Sequence, residues 1–134
     1  MKQLSVFMNN EIGSLAKITT VIRENGINIR AISAFDSPDF GILRVIVDKS
    51  EEAKSILASK GFAVKSTEVL AVELEDRPGA LDEMLNLIAS NGLNMNYIYS
   101  FVLRQNNEPL MVINVDNMEQ AIHVLKENNI QVME

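Results

Sequence analysis

The chain has no cysteine, no tryptophan, one histidine and only three prolines. Without cysteine there is no disulfide framework, no thiolate zinc site and no cysteine nucleophile. With a single histidine, His123, and no thiols, a metal site would have to be built from carboxylates and carbonyls, which suits hard cations. Asp36 and Asp39, around Pro38, are the nearest candidates for one, and an ordinary hairpin turn explains them better. No G-x-S-x-G, P-loop or G-x-G-x-x-G segment occurs, so an enzyme has no residues to stand on; a non-catalytic protein with no cofactor is the expectation. No run of about 18 apolar residues is present, which leaves nothing to span a bilayer. The opening Met1-Lys2-Gln3-Leu4-Ser5-Val6 passes straight into a strand pattern with no signal-peptide core, so a cytoplasmic location is expected. Aromatic residues make up only 5% and the net charge is −6. That composition argues against nucleic-acid and membrane-surface partners, which need basic stripes.

What the chain does have is a repeat. Shifted by 66 residues, Leu4, Val6, Gly13, Leu15, Ile22, Asn25, Gly26, Asn28, Ile32 and Phe35 fall on Leu70, Val72, Gly79, Leu81, Ile88, Asn91, Gly92, Asn94, Ile98 and Phe101. Shifted by 68, Val47, Asp48, Glu51, Ala53 and Leu57 fall on Val115, Asp116, Glu119, Ala121 and Leu125, as a two-residue insertion in a loop would require. Self-similarity at a fixed period reorganises any other reading. Two small domains are expected, residues 1–67 and 68–134. Each is marginal by size alone, and the 47% hydrophobic content is ample for cores. The halves differ in charge: the first is +2 (nine Lys/Arg against seven Asp/Glu), the second −8 (three against eleven).

The second copy reads cleanly. Leu70, Val72 and Leu74 alternate with Ala71, Glu73 and Glu75, the period of a strand with one wet face. Asp76-Arg77-Pro78-Gly79 is a turn. Leu81, Met84, Leu85 and Ile88 recur at helical spacing up to Asn91-Gly92, a helix stop. An extended stretch from Asn94 to about Arg104, a turn at Asn106-Asn107-Glu108-Pro109 and a strand from Leu110 to Val115 make a hairpin. Asp116-Asn117-Met118-Glu119 has the spelling of a capping box, opening a helix with Met118, Ala121, Ile122 and Leu125 on one face. Ile130–Met133 is a last strand. The first copy has the same order. A strand near Gln3–Met8 is followed by a helix carrying Leu15, Ile18 and Ile22 to Asn25-Gly26. A hairpin from Asn28–Phe35 and Gly41–Val47 turns at Ser37-Pro38-Asp39. Asp48-Lys49-Ser50-Glu51 is a second capping box, with a helix to Gly61 and a strand from Phe62 to Lys65. Each half is βαββαβ, and right-handed crossovers leave little but a ferredoxin-like sheet with two helices on one face. The fold class expected is therefore α+β, two such units in tandem with antiparallel sheets.

That superfold hosts many functions, so residues must narrow it. Leu74-Glu75-Asp76-Arg77-Pro78-Gly79-Ala80-Leu81, followed by Asn91-Gly92-Leu93-Asn94-Met95, resembles the ACT domain, a module that binds amino acids and other small effectors. The first copy keeps Gly13, Leu15 and Asn28 but has Asn10 for Asp76 and Ile12 for Pro78. The resemblance implies an amino-acid ligand held where ACT units meet, between the turn of one and the second strand of another. It carries over to Asn10, Ile12, Gly13, Ser14, Leu15, Asn28 and Ile29, and to Asp76, Pro78, Gly79, Ala80, Leu81, Asn94 and Met95. It further implies side-by-side pairing, with a homodimer expected and an enzyme as a further partner.

The chemistry of those residues agrees. A glycine between strand and helix permits tight backbone and close approach, and the first N–H groups of the helix favour a carboxylate. Asparagine offers a donor and an acceptor to a zwitterion. Simpler roles stand beside these. The glycines serve the turn in any case, the asparagines tolerate turn geometry, and Asn10 and Asp76 have a strong claim as helix caps. Tyr97, Tyr99 and Phe101 share one strand face, where an interface role outweighs base stacking. The function expected is amino-acid binding or sensing that regulates metabolism. The alternative is a regulatory subunit or interaction module that docks on a separate enzyme without a small molecule.

Overall fold

The structure, a computed structural model, describes residues 1–37, 39–102 and 108–134. Pro38, the end of the second extended stretch to Arg104 and the start of the turn at Asn106-Asn107 lie outside the described residues. The order of elements is β1 (Lys2–Met8), α1 (Ser14–Glu24), β2 (Ile29–Asp36), β3 (Gly41–Val47), α2 (Ser50–Ser59) and β4 (Ala63–Glu68) in the first repeat. The second has β5 (Leu70–Glu73), α3 (Ala80–Ser90), β6 (Met95–Ser100), β7 (Leu110–Val115), α4 (Met118–Glu127) and β8 (Gln131–Met133). The two sheets run β2-β3-β1-β4 and β6-β7-β5-β8, the same order twice. Both are antiparallel, so the ferredoxin-like βαββαβ expectation is borne out in each copy. The chain divides into two compact units, Lys2–Thr67 and Met1 with Glu68–Glu134.

Each unit has its own core, and the two are built from matching positions. In the first, Leu4 sits opposite Val45 and Val6 opposite Leu43. Ile18 and Ile22 of α1 and Ala53 and Leu57 of α2 close over them, which puts both helices on one face of the sheet. In the second, Leu70 opposite Ile113 carries Met84 and Ile88 of α3 and Ala121 and Leu125 of α4. The Leu, Ile, Val and Met side chains buried this fully each contribute roughly 1.5–3 kcal/mol. All four helices end alike. A residue in the left-handed region (Gly26, Gly61, Gly92 and, in α4, Asn129) lets the next N–H reach back to the carbonyls of Ile22, Leu57, Ile88 and Leu125. This is the closing hydrogen bond of a Schellman motif.

Three expectations need correction. The capping boxes at Asp48 and Asp116 do not form: the residue at the N-cap is Lys49 or Asn117, one position later, and only Asn117 caps with its side chain, accepting from the N–H of Gln120. The aspartates point instead at the start of the neighbouring strand. Strand β5 has no simple wet face. Ala71 is buried on the central strand β5, where it pairs with Val112 on one side and Met133 on the other. Leu15 and Leu81 are not core: each is the second residue of its helix, lies off the buried stripe (Ile18 and Ile22 in α1; Ala80, Met84 and Ile88 in α3) and stays 38% or 42% exposed.

Candidate ligand-binding site

Both glycine turns have the same construction. Gly13 (φ +82°) and Gly79 (φ +90°) are the N-cap residues of α1 and α3, in a backbone region that costs a residue with a Cβ about 1–2 kcal/mol. Neither helix start has a side-chain cap. The capping roles expected of Asn10 and Asp76 are therefore not what the structure shows. Asn10 Nδ2 donates to Asp36 at the end of β2, 2.5 Å away, and the Asp76 N–H donates to Glu108 at 2.7 Å. The bond from Asn10 also engages Asp36, the first of the two carboxylates weighed as cation ligands. The N–H groups of Ser14 and Ala80 reach back to Glu11 and Arg77, at 3.2 and 3.4 Å. Those of Leu15, Ala16, Leu81 and Asp82 meet no acceptor among the described residues. Such a helix start attracts anions. Ile12 stands wholly in solvent beside the first turn.

The turns differ in charge. α1 has no acid in its first turn, and Lys17 just beyond it has no ion-pair partner among the described residues. α3 begins with Asp82 and Glu83. Arg77 is already committed: its Nε donates to Glu75 at 2.6 Å, and its two terminal nitrogens to Glu83 at 3.1 and 2.6 Å. These hydrogen bonds, and then the charge itself, hold the Glu83 carboxyl below its ordinary value. Glu11 and Lys17 occupy the positions of Arg77 and Glu83 with the signs reversed.

The second group of residues forms the start of β2 and β6. Asn28 and Asn94 are both pinned through their backbones. The Asn28 N–H donates to Asp48 Oδ1 at 3.0 Å while its carbonyl accepts from the Asp48 N–H at 3.2 Å. Asn94 and Asp116 repeat the pair at 3.1 and 3.2 Å. Both asparagine side chains are exposed, and Ile29 and Met95 beside them are half-buried.

The structure does not bring the two groups together within a unit. The turn lies at the N-terminus of an 11-residue helix and the strand start just beyond its C-terminus. At 1.5 Å per residue they stand about 16 Å apart. Asn10, Ile12, Gly13, Ser14 and Leu15 thus share one end of the first unit, with Asn28 and Ile29 at the other. Asp76, Pro78, Gly79, Ala80 and Leu81 are likewise separated from Asn94 and Met95 in the second. Sequence reasoning did not anticipate the cleft beside each turn. In the first unit about 430 Å³ is lined by Phe7, Phe40, Phe62, Ser14 and Lys17 among others. In the second, about 360 Å³ lies against Glu73, Arg77, Ala80, Glu83 and Ile130. Phe7, Ser14, Lys17 and Phe62 fall on Glu73, Ala80, Glu83 and Ile130 under the 66- and 68-residue shifts, but the residue types differ at each pair, so the repeat left no identity to mark the clefts.

Elsewhere the remaining candidates have ordinary partners. His123 is exposed on α4, with Nε2 3.1 Å from Glu127. Tyr97 and Tyr99 stack with ring centres 6.3 Å apart. None of the described helices is long and apolar enough to cross a membrane.

Two tandem βαββαβ units, each with a glycine turn opening its first helix and an asparagine opening its second strand, define a pair of modules of the ACT class. A family model described as an ACT domain pair matches residues 1–134, and the chain belongs to that family. It is 36% identical to protein BT0572 from Bacteroides thetaiotaomicron, whose crystal structure matches with a TM-score of 0.91 over 98% of this chain and 90% of that one. The regulatory subunit of aspartate kinase from Thermus thermophilus, in its ligand-free form, matches at 0.69 with 19% identity over 94% and 91% of the two chains. That from Thermus flavus matches at 0.63 with 19% identity over 94% and 90%. No curated protein sequence matches.

Proposed function

We propose that the chain is a non-catalytic amino-acid receptor that regulates amino-acid metabolism. The observation that carries this is the pairing, in both repeats, of an uncapped helix start behind a left-handed glycine with an exposed asparagine held at the start of the second strand. One half-site suits a carboxylate, and the other offers both a donor and an acceptor to the polar groups of an amino acid. Because the halves of one unit stand a helix length apart, a molecule the size of an amino acid draws its turn from one ACT unit and its strand start from another. Membership of the ACT domain pair family supports the reading, and so does the fold shared with aspartate kinase regulatory subunits. Exposed Leu15 and Leu81 offer apolar contact to a ligand side chain at either turn.

A thermal-shift screen against the twenty amino acids tests it. At a concentration 100 times Kd, a ligand that binds only the folded state adds about 2.7 kcal/mol, a readable rise in Tm. A second reading, a subunit that docks on a separate enzyme without a small molecule, is favoured by one feature. Phe7, Ile42 and Phe35 make an apolar row across three strands, and Phe7 and Phe35 at its ends are exposed. No shift with any amino acid, together with an enzyme that copurifies and is lost on Phe35→Ser, supports that reading over the first.

A further inference from the structure

Repeat two carries a line of side-chain amides that repeat one lacks. Asn114 Nδ2 donates to the Glu68 carbonyl at 3.3 Å. Asn96 Nδ2 donates to Asn114 Oδ1 at 2.7 Å, and Asn94 Nδ2 to Asn96 Oδ1 at 3.0 Å. The two ends of an amide are nearly alike in shape, so each orientation needs a physical reason. Here the reason lies at the end of the line. A backbone carbonyl only accepts, so Asn114 turns its nitrogen to Glu68 and leaves its oxygen for Asn96. Asn96 in turn faces its oxygen to Asn94. Asn94 therefore has its nitrogen engaged, and its oxygen has no partner among the described residues. A bulge makes this arrangement possible: the β6–β7 register slips between Met95 and Tyr97, which leaves Asn96 outside the ladder.

We propose that Asn96 and Asn114 are positioning residues that fix Asn94 as a hydrogen-bond acceptor, so that the strand start of repeat two selects the ammonium group of its ligand. The inference rests on the reading of the chain as an amino-acid receptor and adds which end of the zwitterion this half-site takes. Hydrogen bonds aligned in one direction polarise one another and strengthen the terminal acceptor. The −8 charge of the second half favours a cation at the same place. Repeat one has the same bulge, between Ile29 and Ala31, but Arg30 occupies it. Ile46 stands where repeat two has Asn114. Asn28 is left unordered by any such line, next to a cation that repels ammonium.

The test compares matched probes on the full chain: alanine with propionate, valine with 3-methylbutanoate, threonine with 3-hydroxybutanoate, each pair differing at the α-amine. The amino acid that binds should do so about tenfold or more tightly than its partner, as one charge-assisted hydrogen bond provides. Asn114→Leu and Asn96→Leu release Asn94 and should cut that preference to under about threefold while the protein stays folded. Asn96→Asp still accepts from Asn94, so it should keep the preference. Without ligand, the side-chain amide resonance of Asn94 should move in the Leu variants and hold in Asn96→Asp. If amino acids bind but the preference survives in both Leu variants, or is absent from the wild type, this inference falls and the receptor reading stands. If no probe binds and no amino acid in the wider screen does, both fall.

Discussion

Arg77 shows how much one side chain can settle at a turn. Its guanidinium joins Glu75 and Glu83 across the Gly79 turn, and those bonds raise its own pKa while lowering that of Glu83. All three side chains face solvent, so the clamp orders the turn more than it stabilises the fold. Its pH dependence follows from the direction of the shift. A carboxylate whose pKa is depressed in the folded state contributes stability above its unfolded value, near 4.5, and gives it up as pH falls through the depressed value. Arg77→Gln should therefore return Glu83 to about 4.5 in an NMR titration. The stability gap between variant and wild type should close on acidification below that pH. A Glu83 titration unmoved by the substitution would show that the clamp does not persist in solution. At the same two positions repeat one has Glu11 and Lys17, and Lys17 has no ion-pair partner among the described residues.

At the scale of elements, the strand starts are held by aspartates, not by the asparagines beside them. Asp48 and Asp116 each take one backbone N–H and return one, so the start of β2 or β6 is tied to the end of β3 or β7. Asp116→Ala should cost about 1 kcal/mol in urea denaturation and Asp116→Asn less, since the amide oxygen still accepts. Equal losses for the two would mean that charge, not acceptance, matters there. Asp48→Ala should behave the same way. These latches mark where reading the sequence reached its limit. D-x-x-E spells a capping box whether or not the aspartate sits at the N-cap, and only the backbone path shows that Lys49 and Asn117 take that position. The elements themselves were legible for a physical reason: two copies with the same periodicity and the same Asn-Gly helix stops each test the reading of the other. The amide line was not, because a bulge at Asn96 leaves no periodic mark. Nor was the distance between turn and strand start within a unit, which depends on the helix lying between them.

For the whole molecule, the repeats keep one fold and divide the chemistry. The turn of repeat one suits a carboxylate, with no acid in the first turn of α1 and Lys17 without an ion-pair partner among the described residues, in a half of net charge +2. The turn of repeat two sets Asp82 and Glu83 where that carboxylate would come, with Arg77 already engaged. The strand starts are biased the opposite way, toward Asn94 in the acidic half and away from Asn28 beside Arg30. On the proposed reading a ligand takes one turn and one strand start, and each chain offers one good example of each. Calorimetric titration with the amino acid found by screening should therefore give one molecule bound per chain, whether its two half-sites come from the same chain or from two copies. Lys17→Ala should weaken that binding several-fold, with a flatter salt dependence, because an unscreened cation near the carboxylate has been removed. Arg77→Ala should leave affinity within about twofold, since its charge is spent on Glu75 and Glu83. Two equal sites per chain, or a larger loss from Arg77→Ala than from Lys17→Ala, would show that duplication kept both seats alike and that the difference in charge between the repeats plays no part in choosing where the ligand lies.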